Sequence, residues 1–189
     1  MKSRQDVERG FTLIELVVVI IILAVIAVIA APKFLDVKRD AEISRAKAVA
    51  AAYQQSVSFV HTRWQMLGIN TFTNDLPGFG NDDFDVNANG YPLGIDKGNP
   101  MGNPDNVGRG QQGCIDLWNN LLTDPPSVSR NDDGSDYQSY RHQDDNSNSG
   151  HASQCTYVLR TLGETRGRRN AEIKIQYDSV GGTAKLIIQ

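Results

Sequence analysis

One acidic side chain, Glu15, lies in an otherwise apolar stretch of the chain that runs from Phe11 to Ala31. A carboxylate near the centre of a bilayer is costly, and a residue of this kind usually has a function. Two simpler interpretations of the stretch are a cleaved secretory signal peptide and a plain membrane anchor. Neither of them needs an acid at this position. We therefore expect Glu15 to have a function of its own.

A second group of oxygen-bearing residues has the spacing of calcium ligands. The ligands would be the side chains of Asp85, Asn87 and Asn89, the backbone carbonyl of Tyr91 and the closing carboxylate of Asp96. The closing ligand is normally the longer Glu, and Pro92 restrains the segment that should pair as a short strand. Asn and Gly also recur in loops for turn chemistry alone. The spacing therefore predicts a calcium site, with an ordinary turn as the alternative.

Other patterns that could support chemistry are weaker. The glycines from Gly108 to Gly113 fit G-x-G-x-x-G, but they follow a Pro/Asn-rich loop, whereas a dinucleotide site needs a preceding strand. The three histidines lack the spacing of metal ligands, and His61 is expected to be a solvated helix residue. We therefore predict that the protein is not an enzyme.

Three arginines, Arg166, Arg168 and Arg169, lie between two predicted strands. A solvated hairpin loop is the simpler interpretation, and a patch for an anionic ligand is the alternative. The formal net charge of −3 gives little reason to expect nucleic-acid binding, because such proteins usually carry a basic surplus.

The elements that position these residues begin with a long helix. The twenty-one residues from Phe11 to Ala31 reach roughly 30 Å at about 1.5 Å per residue, the thickness of the hydrocarbon core. Three basic and two acidic residues precede them, which favours a cytoplasmic N-terminus. Pro32 should kink or loosen the helix, and Gly68 followed by Asn70 should end it.

The second half of this helix is amphipathic and should pack on a soluble domain. Its predicted apolar stripe consists of Val49, Ala52, Tyr53, Ser56, Val57, Val60, Trp64 and Leu67. Residues 69–113 are interpreted as a long connecting loop with short strands at most, 113–126 as a short helix, and 129–154 as an exposed, mobile loop. Three strands then follow: Thr156 to Leu162, Glu172 to Asp178 and Thr183 to Ile188, with a tight turn at Gly181 and Gly182.

The sequence GFTLIE at residues 10–15, with a short charged leader before it and an apolar helix after it, resembles the processing site of type IV pilins and type II secretion pseudopilins. In that family a membrane peptidase removes the leader and methylates the new amino terminus. The resemblance implies cleavage between Gly10 and Phe11 and methylation of the Phe11 amine. It also implies that Glu15 pairs with the Phe11 amine of a neighbouring subunit, so that the acid becomes favourable on docking.

The same resemblance implies the fold, the location and the partners of the chain. The fold would be the α+β type IV pilin fold, in which a long N-terminal helix packs on a C-terminal antiparallel sheet. Its parts would be a leader (1–10), a transmembrane and filament-core helix (11–34), an amphipathic continuation (35–68) and a globular head (69–189). The chain would cross the inner membrane of a Gram-negative bacterium once and then join an extracellular pilus. The partners would be other pilin subunits, the prepilin peptidase and the inner-membrane assembly platform.

Two further features refine the expectation. In an exported chain the only two cysteines, Cys114 and Cys155, should form one disulfide. The segments AAPKFLDV, NGYPLG and CIDLWNNLLTDPP, together with Trp64, resemble the mannose-sensitive haemagglutinin (MSHA) pilins, in particular B-like minor pilins. This predicts a structural, minor subunit of a pilus for adhesion and biofilm formation. The alternatives are a ligand-binding tip module, as an adhesin or DNA receptor, and a pseudopilin.

Overall fold

The computed structural model describes residues 10–95, 97–98, 101–146 and 148–189. The chain forms two compact units, one that ends at Ala41 and one that consists of Glu42–Gln189. The elements of the described residues are a long N-terminal helix, a short second helix and two sheets. The predicted α+β class, with the arrangement of a type IV pilin, is confirmed.

The first helix, α1, consists of Leu13–Met66 and includes Pro32 without interruption. From Phe11 to Val37 every large apolar side chain is exposed. By length and composition α1 could cross a membrane, and among the described residues it is the one helix that meets this criterion. Such an extent of exposed apolar surface requires a bilayer or a protein partner.

The second part of α1 buries one stripe of side chains within the second unit. Tyr53, Val57 and Val60 are fully buried, as predicted, and Ala46 and Ala50 continue the stripe towards the N-terminus. The spacing of four, three, four and three residues keeps these five side chains on one face. The prediction was wrong for Ala52, which lies off this face and is exposed, and for Leu67, which is exposed because it follows the last helical residue, Met66.

A Schellman motif ends α1 at the predicted place. Gly68 has a φ of +68°, and its N–H donates to the Gln65 carbonyl at 2.9 Å. The Ile69 N–H donates to the Trp64 carbonyl at 3.4 Å. Both bonds satisfy carbonyls that the helix itself leaves without partners.

In the part of the chain that the structure describes, seven strands form two sheets. A small antiparallel sheet contains β1 (Phe84–Val86) and β2 (Pro92–Ile95). The main sheet contains β3 (Val128–Ser129), β4 (Tyr137–His142), β5 (Gln154–Leu159), β6 (Ile173–Asp178) and β7 (Thr183–Ile188), in that spatial order. The pair β3–β4 is parallel and the other pairs are antiparallel. The sheet is therefore mixed, whereas the sequence predicted an antiparallel meander of three strands.

The prediction that residues 129–154 form an exposed loop was wrong, because this segment contains β4. All six residues of β4 pair with β5. Only Tyr137 and Ser139 of this strand are buried, and the residues between and after them are polar and partly exposed. Because apolar and polar residues do not alternate along this segment, it has the composition of a loop although it forms an inner strand of the sheet.

The second helix, α2, consists of Gln112–Leu121 and ends before the predicted prolines. Its predicted inner face is buried, and Trp118 is fully inaccessible to solvent. The Trp118 ring centroid lies 4.4 Å from that of Tyr157 and 6.1 Å from that of Tyr53. This aromatic cluster joins α1, α2 and the main sheet within the second unit.

Tyr53, Tyr157 and Tyr177 have hydrogen-bond partners for their buried hydroxyls, whereas the buried hydroxyl of Tyr137 has none among the described residues. The Tyr157 hydroxyl donates to the Cys114 carbonyl at 2.7 Å, and that of Tyr177 donates to the Pro92 carbonyl at 2.7 Å. The Tyr53 and Tyr157 hydroxyl oxygens are 3.3 Å apart. Burial raises the pKa of all three phenols, so they stay neutral donors in the core.

Strand β7 is an edge of the main sheet, and Gln54 of α1 covers part of that edge. The Gln54 Oε1 atom accepts from the Ala184 N–H at 2.6 Å, and its Nε2 atom donates to the Gly182 carbonyl at 3.1 Å. The side-chain amide thus makes the two bonds that a peptide group of a neighbouring strand would make.

The glycines of the G-x-G-x-x-G segment allow a close approach of backbone. A Cβ atom added to Gly108 would lie 2.2 Å from the Cα atom of Gly113, at the start of α2. The Gly108 N–H donates to the Leu93 carbonyl at 2.6 Å. This close packing explains the two glycines of the G-x-G-x-x-G segment without a bound dinucleotide.

Candidate functional site

The predicted processing and assembly residues lie at the start of α1. Gly10 and Phe11 are exposed, and Thr12 immediately precedes the first helical residue. The rest of the predicted leader, residues 1–9, lies outside the described residues. An exposed Gly10–Phe11 bond is accessible to a peptidase.

Thr12 and Glu15 form a capping box. The Thr12 backbone N–H and hydroxyl each donate to Glu15 Oε2 at 2.8 Å, and the Glu15 N–H donates to the Thr12 hydroxyl at 3.3 Å. These bonds satisfy donors that the first turn of a helix leaves without partners. The sequence interpretation missed this role, although Thr-x-x-Glu before an apolar run is its signature.

The capping box leaves part of the Glu15 carboxylate for another donor. Within the described part of the chain, Oε1 of Glu15 accepts no hydrogen bond. A carboxylate oxygen can accept from an ammonium group in a strong, charge-assisted hydrogen bond. One oxygen can therefore hold the helix start while the other remains for an intermolecular partner.

Comparison with known proteins bears on this segment. Residues 6–31 match the family described as prokaryotic N-terminal methylation motif. The motif supports a type IV pilin-like or pseudopilin subunit. No curated protein and no solved structure matches the chain. The match covers the leader junction, the capping box and the apolar half of α1, and it stops before the second unit.

A type IV pilin-like chain needs a membrane-anchored helix and a folded head, and the two units supply these parts. The apolar helix fits membrane anchoring before incorporation into a pilus. The motif implies processing by a prepilin peptidase and assembly with other pilins.

Asp85 of the predicted calcium loop is fully buried on β1. Its Oδ1 atom accepts from the Asp75 N–H at 3.1 Å, and its Oδ2 atom accepts from the Lys97 N–H. Burial raises the pKa of the Asp85 carboxyl, and these two N–H donors oppose that rise. Both carboxylate oxygens therefore already join loop segments on either side of β1.

The next predicted ligands form an Asx turn. Asn87 Oδ1 accepts from the N–H groups of Asn89 and Tyr91, at 3.0 and 2.9 Å. The Tyr91 carbonyl accepts from the Asn87 N–H at 3.0 Å. The predicted closing ligand, Asp96, lies outside the described residues. The calcium site therefore stays a prediction, and the turn explains the Asn and Gly spacing without an ion.

The predicted disulfide is confirmed. The sulfur atoms of Cys114, in the first turn of α2, and Cys155, on β5, are bonded, and the two Cα atoms are 5.6 Å apart. The bond ties α2 to the centre of the main sheet. The forty-one-residue separation encloses β3 and β4, the part of the sheet that the sequence did not reveal.

Arg166, Arg168 and Arg169 all have acidic partners. An Arg166 nitrogen lies 2.6 Å from Glu164, and this interaction lowers the pKa of the Glu164 carboxyl to about 2. Arg168 and Arg169 both contact Asp145, at 2.5 and 3.2 Å. The pairing reduces the attraction of this loop for a polyanion, and it places Asp145 beside Arg168 and Arg169.

The interpretation of His61 as a solvated helix residue was wrong. Its ring stacks on Tyr91, with centroids 4.6 Å apart, and on Trp64 at 5.7 Å. Its Nδ1 atom is buried and has no hydrogen-bond partner among the described residues. The loop that contains Tyr91 covers His61, and helix periodicity alone could not reveal this long-range contact.

Proposed function

We propose that the chain is a structural, minor subunit of a type IV surface pilus of the MSHA type. The prepilin peptidase would cleave it between Gly10 and Phe11 and methylate the Phe11 amine. The apolar half of α1 would then hold the subunit in the inner membrane and later in the filament. The pilus would serve attachment of a Gram-negative bacterium to surfaces.

The observation that carries this proposal is the capped, exposed start of α1 within the methylation motif. Glu15 Oε2 is held by Thr12, while Oε1 accepts no hydrogen bond from the described residues. The methylated ammonium of a neighbouring Phe11 is a suitable donor for that oxygen. An ion pair of this kind in an apolar setting favours only subunits that dock in register.

Mass spectrometry of sheared pili tests the proposal. We expect peptides of this chain at a small fraction of the major subunit, with the mature protein beginning at a methylated Phe11. A protein that begins at Pro32 or keeps Met1, or that is absent from sheared pili, would overturn it. A Gly10→Arg variant should remain unprocessed in the membrane at the wild-type expression level.

A type II secretion pseudopilin carries the same kind of N-terminus and is the competing assignment. Deletion of the gene separates the two. Loss or shortening of pili with normal protein secretion supports the pilus subunit, whereas normal pili with a secretion defect support the pseudopilin.

A further inference from the structure

A cavity of about 450 Å³ lies over the part of the main sheet formed by β5, β6 and β7. The strands contribute Gln154, Lys174 and Gln176 to its lining. The segment after β4 contributes Asp145, and the segment before β6 contributes Arg168 and Arg169. A cavity of this volume accommodates a small polar molecule such as one or two sugar rings.

Buried polar side chains form the floor of this cavity. Gln154 and Lys174 are each only 7% exposed. The Gln176 Nε2 atom donates to Gln154 Oε1 at 2.8 Å across the two strands. Within the described chain this leaves the Gln154 Nε2 donor and the Gln176 Oε1 acceptor without protein partners. A donor beside an acceptor is complementary to a pair of neighbouring hydroxyl groups, each of which both donates and accepts.

The lining of the cavity contains three cationic side chains, Arg168, Arg169 and Lys174, and two acidic ones, Asp144 and Asp145. Lys174 Nζ donates to the carbonyls of Arg168 and Arg169, at 2.8 and 2.9 Å, and keeps a third N–H. Arg168 uses both of its terminal nitrogens on Asp145. Arg169 shares the same carboxylate through one nitrogen, and its side chain is 72% exposed. Asp145 therefore faces three cationic side chains, and the Arg169 guanidinium retains donors for an incoming anion.

We propose that this cavity binds an acidic saccharide, a sugar ring that carries a carboxylate. Two ring hydroxyls would bond to Gln154 and Gln176, and the carboxylate would contact Arg169 and the free N–H of Lys174. Both charge-assisted hydrogen bonds and paired hydroxyl contacts are strong sources of specificity for such a ligand. The biological meaning of this site rests on the proposed function, because a pilus subunit exposes its head to surfaces that carry glycans.

The same observations argue against a nucleic acid in this cavity. Single-stranded nucleic acids bind along grooves with successive unpaired cations and aromatic platforms. Here Arg166 and Arg168 are already paired with Glu164 and Asp145. None of the residues that line the cavity in the described chain is aromatic. A single carboxylate suits this local charge better than a polyphosphate.

Titration of the mature full-length chain in detergent micelles tests the proposal through its amide chemical shifts. The probes are methyl glucuronide and methyl glucoside, which share a ring and differ in the carboxylate. We expect shifts at Gln154, Lys174 and Gln176, and binding of the glucuronide at least about tenfold tighter than that of the glucoside. Equal affinity for the two sugars, or shifts only elsewhere, would overturn the proposal.

Two variants make the test specific. Arg169→Ala should weaken glucuronide binding about tenfold and leave glucoside binding unchanged, because it removes one charge-assisted contact. Arg166→Ala is the matched control, since it removes the same charge from a residue that does not line this cavity. If Arg166→Ala and Arg169→Ala behave alike, the proposal fails.

Inorganic phosphate and a short single-stranded oligonucleotide complete the set of probes. Tighter binding of either at the same residues would assign the cavity to a phosphate ligand and refute the saccharide. The pilus proposal is tested by a different experiment, because its failure would appear as absence of the chain from sheared pili. The titration uses the isolated chain, so its result does not depend on that outcome.

Discussion

The backbone N–H and the hydroxyl of Thr12 donate to the same carboxylate oxygen of Glu15, each at 2.8 Å. Glu15 therefore has partners in its own chain before any neighbouring subunit approaches it. This reduces the cost of an acid at the edge of an apolar helix, because two of its hydrogen bonds are retained there. The capping of the helix and the proposed pairing with a neighbouring subunit would then be two separable functions of one side chain.

Substitutions at these two positions separate the functions. Glu15→Ala should reduce incorporation into pili while processing and membrane insertion stay intact. Glu15→Gln keeps a capping side chain but removes the charge, so incorporation should fall as strongly as for Glu15→Ala. Thr12→Val should lower helix stability by about 1 kcal/mol and leave incorporation close to wild type. The measurement is the ratio of variant to wild-type peptide in sheared pili at equal expression. Normal incorporation of Glu15→Gln would assign Glu15 to capping alone.

Removal of the disulfide should destabilise the second unit. In the Cys114→Ala/Cys155→Ala variant the free energy of unfolding should fall by about 3 to 4 kcal/mol, because the unfolded chain regains the freedom of the closed loop. Chemical denaturation followed by tryptophan fluorescence measures this loss, since Trp118 is fully buried on the same helix as Cys114. Alkylation of non-reduced, exported wild-type protein should find no free thiol, and two free thiols would contradict the bond in the cell.

Two glycines of the G-x-G-x-x-G segment should respond differently to alanine. Gly108 and Gly110 both have positive φ, +54° and +71°, but an added Cβ at Gly110 meets no atom within 4 Å. Gly110→Ala should therefore cost about 1 to 2 kcal/mol through backbone conformation alone. Gly108→Ala should cost about 1 to 3 kcal/mol more, because the start of α2 must move. Equal losses in chemical denaturation would show that the contact with Gly113 is unimportant.

Acid should weaken the fold through Glu164. The folded-state pKa of this carboxyl is about 2 and its ordinary value is 4.5, mainly because of its hydrogen bond with Arg166. Between these values the unfolded state binds more protons than the folded state. The stabilisation is thus complete above pH 4.5 and is lost as pH falls through 2. Urea midpoints for Glu164→Gln should decline less steeply over this range than those of wild type, and parallel curves would contradict this assignment.

We expect the Asp85 to Tyr91 loop to be stable without calcium. Asp85 and Asn87 already accept two backbone N–H bonds each, which hold the loop in place. Calcium should therefore leave the melting temperature of the full chain unchanged relative to a chelator. A rise with calcium but not with magnesium, absent in Asn89→Ala, would instead establish the predicted calcium site.

The sequence was most informative where local periodicity determines structure. The end of α1 at Gly68, the buried positions Tyr53, Val57 and Val60, and the bounds of β7 follow from patterns within a few residues of each position. The processing motif also resides in a continuous segment. These features needed no knowledge of distant contacts.

Contacts between distant segments explain what the sequence did not reveal. Strand β4 is polar and is recognisable only by its pairing with β5. The cavity depends on side chains from the segments after β4 and before β6, which are brought together by Asp145, Arg168 and Arg169. His61 is covered by a loop thirty residues further along the chain. None of these contacts leaves a short-range pattern.

The side-chain amide of Gln54 on the edge of β7 has a consequence for aggregation between copies of this protein. An uncovered edge strand offers its free N–H and carbonyl groups to any similar strand, which is a common route to aggregation. Membrane-anchored copies confined to two dimensions meet often, so an open edge would be hazardous before assembly. By holding the Ala184 N–H and the Gly182 carbonyl, Gln54 closes the edge at one end of β7 to a second chain. The proposed filament-forming helix thereby also protects the edge of the sheet from aggregation by strand pairing between copies.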